Sequence, residues 1–377
     1  MSRIPEGTHL EARIQRMSFA QAVFAERGLL PAASSDYRMV ATDIDVLTWE
    51  YHTDFHVTQG HYECKGGKVQ VLDRVMWLVG VRMLLDADAS YLVSAKSDRE
   101  IVQFARDLHV DVLSIDNIDS VEGQIGIQDN QWLARSNYPV FDKAKSAWRD
   151  RYQEKNPSDE WKTLKSAIQM IEIDSWRLLS YGAFNRLIRT IEALSTLTRE
   201  ATEDSARICA RYALGAAIVR FTQYLLWIAR DISTMQPGDF EDYLSQKLIF
   251  GNNNPDQAVG LIESTLHLVD ESLKATATPK SHGVDVARLT NPPACCSDLV
   301  KLLRELLSHR NSARFLPLAM EFKLFGSQSQ LDAFESLKLV CGLGEDSTAM
   351  VCGFLIRSLG VDSSMLESCL SVLESKA

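Results

Sequence analysis

The strongest constraint on this chain is a change partway along it in the spacing of apolar residues. Up to residue 116 these positions switch repeatedly between helical and strand spacing, and beyond about residue 140 they keep almost entirely to helical spacing. Leu10, Ile14, Met17, Ala20, Gln21 and Phe24 recur at helical intervals, and Gly28 then supplies a C-terminal cap. Residues 39–51 are extended and rich in β-branched side chains, and 61–65 form a second short strand closed by Gly66-Gly67. An apolar helix over 72–85 follows, then a buried strand at 91–95 and a helix over 98–109. That helix opens on a capping box of Ser97 and Glu100, and a last strand spans 111–115. The order α-β-β-α-β-α-β predicts an α/β unit with a mixed central sheet flanked by helices.

The remainder reads as an all-α region, with helices over 140–154, 159–197, 204–232, 239–248, 255–273, 297–308, 329–341 and after Asp346. Pro and Gly punctuate them at Asn156-Pro157, Pro237-Gly238, Gly251 to Pro255, and a stretch holding Pro279, Gly283, Pro292 and Pro293. At 377 residues the chain exceeds one ordinary core. The expected units are 1–120, 121–275 and 276–377, with the Pro-rich stretch as the linker.

Composition bounds the function classes. With 46% hydrophobic and 24% charged residues the chain sits in the globular range. No N-terminal segment has the basic start and apolar run of a signal peptide, and Arg220 and Gln223 interrupt the most apolar stretch. The expectation is therefore a buried helix, no membrane partner and a cytoplasmic protein. Seven scattered cysteines without a Cys-x-x-Cys pair point to reduced thiols, not a disulfide framework or a zinc site. No Gly-rich phosphate loop supports ATP binding. The net charge of −10 argues against a tight, stand-alone grip on nucleic acid, since such binding draws on Lys and Arg neutralising phosphates. A local basic face or a recruiting partner remains compatible with it.

Strand alternation places Asp43 and Asp45 on one side of the first acidic strand, and Glu63 and Lys65 together on the next. Paired as a hairpin, these strands bring Asp45, Glu63 and Lys65 into one cluster. Two carboxylates held together repel and ask for a cation. An oxygen-only site suits Mg²⁺ (or Mn²⁺), and Lys65 would orient a water or stabilise developing negative charge.

The stretch Ala41 to Lys65, with "ATDIDVLTWEY" followed by "YECKGGK", resembles the PD-(D/E)xK (restriction-endonuclease-like) nuclease superfamily. The resemblance covers the N-terminal third only. It implies a metal-binding acid at Asp45, the (D/E)-x-K pair at Glu63 and Lys65, and the main-chain carbonyl of Cys64 as a further metal ligand. Glu11 in "HLEARIQRM" fits the upstream helical acid common in the family, and Asp43 is a supporting acid. The Pro-Asp pair that names the family is absent, with Ile44 before Asp45, so Asp43 competes with Asp45 as principal ligand. The resemblance implies a metal-dependent endonuclease acting on DNA ahead of RNA. The helical region would serve recognition, partner binding or assembly into a homo-oligomer or multi-protein complex, as in bacterial defence.

Plainer readings stand beside this. Glu-x-Lys recurs at Glu160-Trp161-Lys162, Glu321-Phe322-Lys323 and Glu374-Ser375-Lys376, and the first two read as solvated helix faces. Glu63 differs by lying in a strand, after an acidic strand and before a Gly-Gly turn. Lys68 and Arg74 are candidate phosphate contacts, or simple surface charge. His52, His56 and His61 read as ordinary loop or strand positions, and Trp77 with Met83 as a core stripe. Three other functions stay open: a repair or junction nuclease, a non-catalytic scaffold of the same fold, and a helical HEPN-like ribonuclease. The last rests on Arg304 and His309, although Glu305 departs from that motif.

Overall fold

The computed structural model of the chain describes residues 6–31, 42–65, 70–94, 98–126, 158–174, 179–275, 291–326, 328–341 and 346–367. The N-terminal part is a five-stranded mixed sheet with helices, and the C-terminal part is helical. The first contains α1 (Glu6–Ala20), β1 (Phe24–Leu29), β2 (Ile44–Tyr51), β3 (Val57–Lys65) and α2 (Val71–Leu85). It continues with β4 (Ala89–Ser94), α3 (Arg99–Asp107), β5 (Val110–Ser114) and α4 (Ile115–Ile125). The strands lie side by side in chain order, with β1, β2 and β3 antiparallel and β3, β4 and β5 parallel.

One strand departs from the expected pattern. The helical spacing through Phe24 predicts a continuous helix, but α1 stops at Ala20 and Ala22 turns left-handed with φ 62°. Phe24 then opens β1, which pairs with β2 from Phe24↔Trp49 to Leu29↔Ile44. Gly28 caps no helix: it lies inside β1 with φ 65°, opposite Asp45 by the register on either side. A glycine is needed for that backbone, and it leaves no side chain beside the carboxylate.

The two faces of the sheet are covered differently. Val75 and Leu78 of α2 and Ala105 of α3 pack on Leu92 and Val110. By register Leu92 is level with Glu63, so these helices sit on the face that carries it. α1 and α4 belong to the other side, joined where Arg13 meets Asp119 and Glu122. The boundary expected at residue 120 falls inside α4. The capping box expected of Ser97 lies outside the described residues, and the N-cap of α3 is Asp98. Met83 is 79% exposed, so the core stripe expected of it and Trp77 holds only for half-buried Trp77.

The helical part runs α5 (Asp159–Gln169), a π-helical turn Met170–Asp174, α6 (Tyr181–Glu200), α7 (Asp204–Ile232), α8 (Phe240–Phe250) and α9 (Pro255–Ala275). Beyond come α10 (Cys296–Ser308), α11 (Arg310–Ala313), α12 (Leu316–Phe325), α13 (Gln328–Cys341), α14 (Asp346–Leu359) and α15 (Ser363–Glu367). The helix expected over 159–197 is thus interrupted, that over 140–154 lies outside the described residues, and α11 and α12 are additions. α7 is long and apolar enough to cross a membrane by length and composition, and 94% of its most apolar window is buried inside the fold.

Apart from the small cluster under α2 and α3, sheet and helices share one continuous core. Phe19 of α1 meets Phe322 of α12 edge-on, their ring centres 5.5 Å apart. Arg220 of α7 is buried against Glu26 of β1, bonds Gln223, and lies over the Trp49 ring at 5.8 Å.

Candidate active site

The cluster forms where β2 begins and β3 ends, at the carboxyl ends of the parallel strands, the edge where open sheets place ligands. One step beyond Val46↔Tyr62 in the antiparallel register sets Asp45 opposite Glu63. Asp45 is 7% exposed, and its Oδ2 accepts the Cys64 amide at 2.7 Å and Lys65 Nζ at 3.1 Å. Lys65 Nζ also lies 2.7 Å from Glu63 Oε1, so one ammonium bridges both acids. Arg74 of α2 approaches the same Glu63 oxygen at 3.5 Å. Ser94, buried at the end of β4, sits beside Lys65 in the parallel register.

Burial and charge work against each other here. Glu63 is 2% exposed, and its carboxyl is pushed up to about 7, first by burial and then by the charge of Asp45. Lys65 and Arg74 pull it the other way without prevailing. Burial disfavours the Lys65 charge, but its bonds to Glu63 and Asp45 outweigh this and raise its pKa. Burial and the nearby Asp45 hold the Cys64 thiol well above its usual range, so it is neutral. Glu11 on α1 is raised by burial and by Asp45, with Arg27 and Lys65 opposing.

The structure therefore brings Asp45, Glu63 and Lys65 into direct contact and places Glu11 within electrostatic reach. Asp43 is exposed, just before β2. Arg74 faces Glu63 with its side chain 39% exposed, a pairing hidden in the sequence because it joins a strand to the next helix. Lys68 lies outside the described residues. Ser94 and Arg27 carry no signal in the sequence, since only strand register and helix packing bring them near.

The competing motifs sit elsewhere. Glu160 caps the loop at Thr202, and Lys162 pairs with Asp159 at 2.7 Å. Glu321, expected on a solvated face, is 3% exposed within the helical core. Glu374 lies outside the described residues. The Arg304 guanidinium bonds the Pro237 carbonyl at 2.7 Å and covers Phe240, which ties α10 to α8. His52 bonds Thr58 at 2.8 Å in the β2–β3 connection. His61 is fully buried against Trp77, and neither ring nitrogen has a hydrogen-bond partner among the described residues.

A divalent ion fits this donor set in one particular way. No group of three or more His, Cys, Asp or Glu side chains that could cage a metal occurs among the described residues. Mg²⁺ rarely uses such a cage; one or two carboxylates with waters and substrate phosphates suffice. The Cys64 N–H points at Asp45, and in a strand the carbonyl of the same residue faces the same side. Glu63, still raised beside two cations, has uncompensated negative character in its ionised form.

No family model, curated protein or solved structure matches this chain.

Proposed function

We propose that the chain is a Mg²⁺- or Mn²⁺-dependent endonuclease hydrolysing phosphodiester bonds, in DNA ahead of RNA, on a restriction-endonuclease-like N-terminal unit. The observation that carries this reading is the convergence of Asp45 and Glu63 on the Lys65 ammonium at one end of the sheet. Asp45 and Glu63, with the Cys64 carbonyl, would hold the ion. When bound, the ion supplies Lewis-acid polarisation of a phosphate, worth several kcal/mol.

The chain's own residues do the rest. The Cys64 amide fixes the Asp45 carboxylate, so it does not reorganise when substrate arrives. Lys65, half-buried between the acids, is placed to orient a water and to offset negative charge developing on the phosphate. Arg74 restrains Glu63 from the α2 side. Glu11 adds a third negative group nearby. The helical part serves recognition or assembly, and the acidic total favours a homo-oligomer or a partner complex that contributes to the grip on substrate.

The test incubates supercoiled plasmid, linear duplex, single-stranded DNA and RNA with Mg²⁺, Mn²⁺ or EDTA, alongside Glu63→Gln and Lys65→Ala. Metal-dependent cleavage reduced at least about 100-fold in both variants is expected. Cleavage that survives Lys65→Ala, or proceeds in EDTA, would refute it.

A further inference from the structure

Away from the acidic cluster, α5 and α6 line an open groove of about 620 Å³. Lys162 comes from α5, and Arg186 and Arg189, one helical turn apart, from α6. All three are exposed, and no Asp or Glu among the described residues lines the groove. In a chain of net charge −10, a groove whose described lining holds three cations and no carboxylate runs against the average surface. Asp159, at the start of α5 and outside the groove lining, pairs with Lys162 at 2.7 Å. The hydroxyl side chains Thr163, Ser166 and Thr190 line the same walls.

The chemistry selects an anionic polymer. Two guanidinium forks at i and i+3 match phosphate oxygens better than a point charge does. An open trough suits a chain running through it, where a small metabolite would favour enclosure. No aromatic side chain among the described residues lines it, so bases have nothing to stack on and sequence is not read there. No large exposed apolar side chain among the described residues lines it either, which a membrane surface would require.

We propose that the α5–α6 groove is a second nucleic-acid contact that grips the phosphodiester backbone of duplex DNA outside the cleavage site. The choice of nucleic acid among polyanions rests on the nuclease reading above, whereas the groove's charge is independent of it. The acidic whole would thereby gain a local, sequence-independent hold on substrate.

Fluorescence anisotropy of a short labelled duplex in EDTA, across a salt series, tests this without cleavage. Arg186→Gln/Arg189→Gln should bind roughly tenfold more weakly, and its log–log salt slope should fall by about 1.8, at about 0.9 for each lost phosphate contact. Arg189→Glu alone, at an exposed position, should weaken binding in the same direction. A control with the same change in net charge, Lys301→Gln/Lys338→Gln on α10 and α13, should bind like the unsubstituted protein. The proposal is overturned if the groove variants bind with unchanged affinity and slope, or if the control loses as much. Stronger groove-dependent binding to phosphatidylserine vesicles than to duplex would overturn it too. Cleavage assays on the same proteins separate the two readings. Metal-dependent cutting with an indifferent groove variant sinks the groove alone, and groove-dependent binding without cutting in any metal sinks the nuclease alone.

Discussion

Glu63→Gln should stabilise the metal-free protein, and more so as pH rises. A carboxyl raised from its ordinary 4.5 to about 7 binds its proton more tightly folded than unfolded. The stability it contributes is therefore complete below 4.5 and lost as pH climbs through about 7. That interval, at about 1.4 kcal/mol per pH unit, corresponds to about 3 kcal/mol. The neighbouring Lys65 side chain is 28% exposed, so water reaches the cluster. Screening reduces the expected effect to about 2 kcal/mol. Glutamine mimics the neutral acid, so the difference between variant and parent should be small at pH 5 and grow to that value by pH 8.

Urea unfolding of both proteins in EDTA, followed by tryptophan fluorescence across that pH range, measures the difference directly. Taking a difference also removes His61, which both proteins carry. Burial pushes its imidazole down to about 4, so it contributes a slope of opposite sign over part of the range. Mg²⁺ then provides the functional half of the experiment. A ligand at about a hundred times its Kd stabilises by roughly 2.7 kcal/mol. This should appear in the parent protein at pH 8, shrink at pH 5 where the ion competes with a proton, and be largely absent from Glu63→Gln. A pH-independent difference would mean that Lys65 and Arg74 compensate Glu63 fully, leaving no electrostatic frustration for a metal to relieve. Equal Mg²⁺ stabilisation of both proteins would place the ion elsewhere.

Arg220→Met should destabilise by roughly 3–5 kcal/mol, because it deprives buried Glu26 of its guanidinium; Arg220→Met/Glu26→Leu should recover most of that loss, as read by thermal melting. A single-variant loss under about 1 kcal/mol would show that the pair does not hold sheet to helices. His61→Leu should be neutral or stabilising by about 1 kcal/mol at pH 7, since no hydrogen bond from either ring nitrogen to a described residue is lost. The parent should lose stability as pH falls from 6.5 towards about 4 while the leucine variant does not, and equal acid sensitivity would refute the account.

The catalytic candidates were legible because their relationship is local. Asp45, Glu63 and Lys65 lie on consecutive strands, and alternation alone decides which side chains share a face. What the sequence concealed was non-local. β1 keeps helical spacing with α1, and its Glu26-Arg27-Gly28 core reads as polar turn or helix, not as a strand. Glu26 can be buried there because Arg220, far along the chain, reaches it. α12 was not expected from the sequence; Pro317 occupies the first turn of that helix, where its missing N–H costs nothing.

These non-local contacts also bear on the site. β1 lies next to β2, and the register places Gly28 opposite Asp45. The same strand carries Glu26, held by α7, and Arg27, which acts electrostatically on Glu11. The strand beside the acidic cluster is thus anchored in the helical core, which cannot shift against β1 without disturbing the Glu26–Arg220 pair. If the helices bind a partner or a phosphate backbone as proposed, the Glu26–Arg220 pair is the contact that would join that event to the strand beside the acids. Because residues of the sheet and of the helices pack into one shared cluster, the proposed recognition by the helices and the proposed chemistry at the acids would be linked by packing, with no hinge required between them.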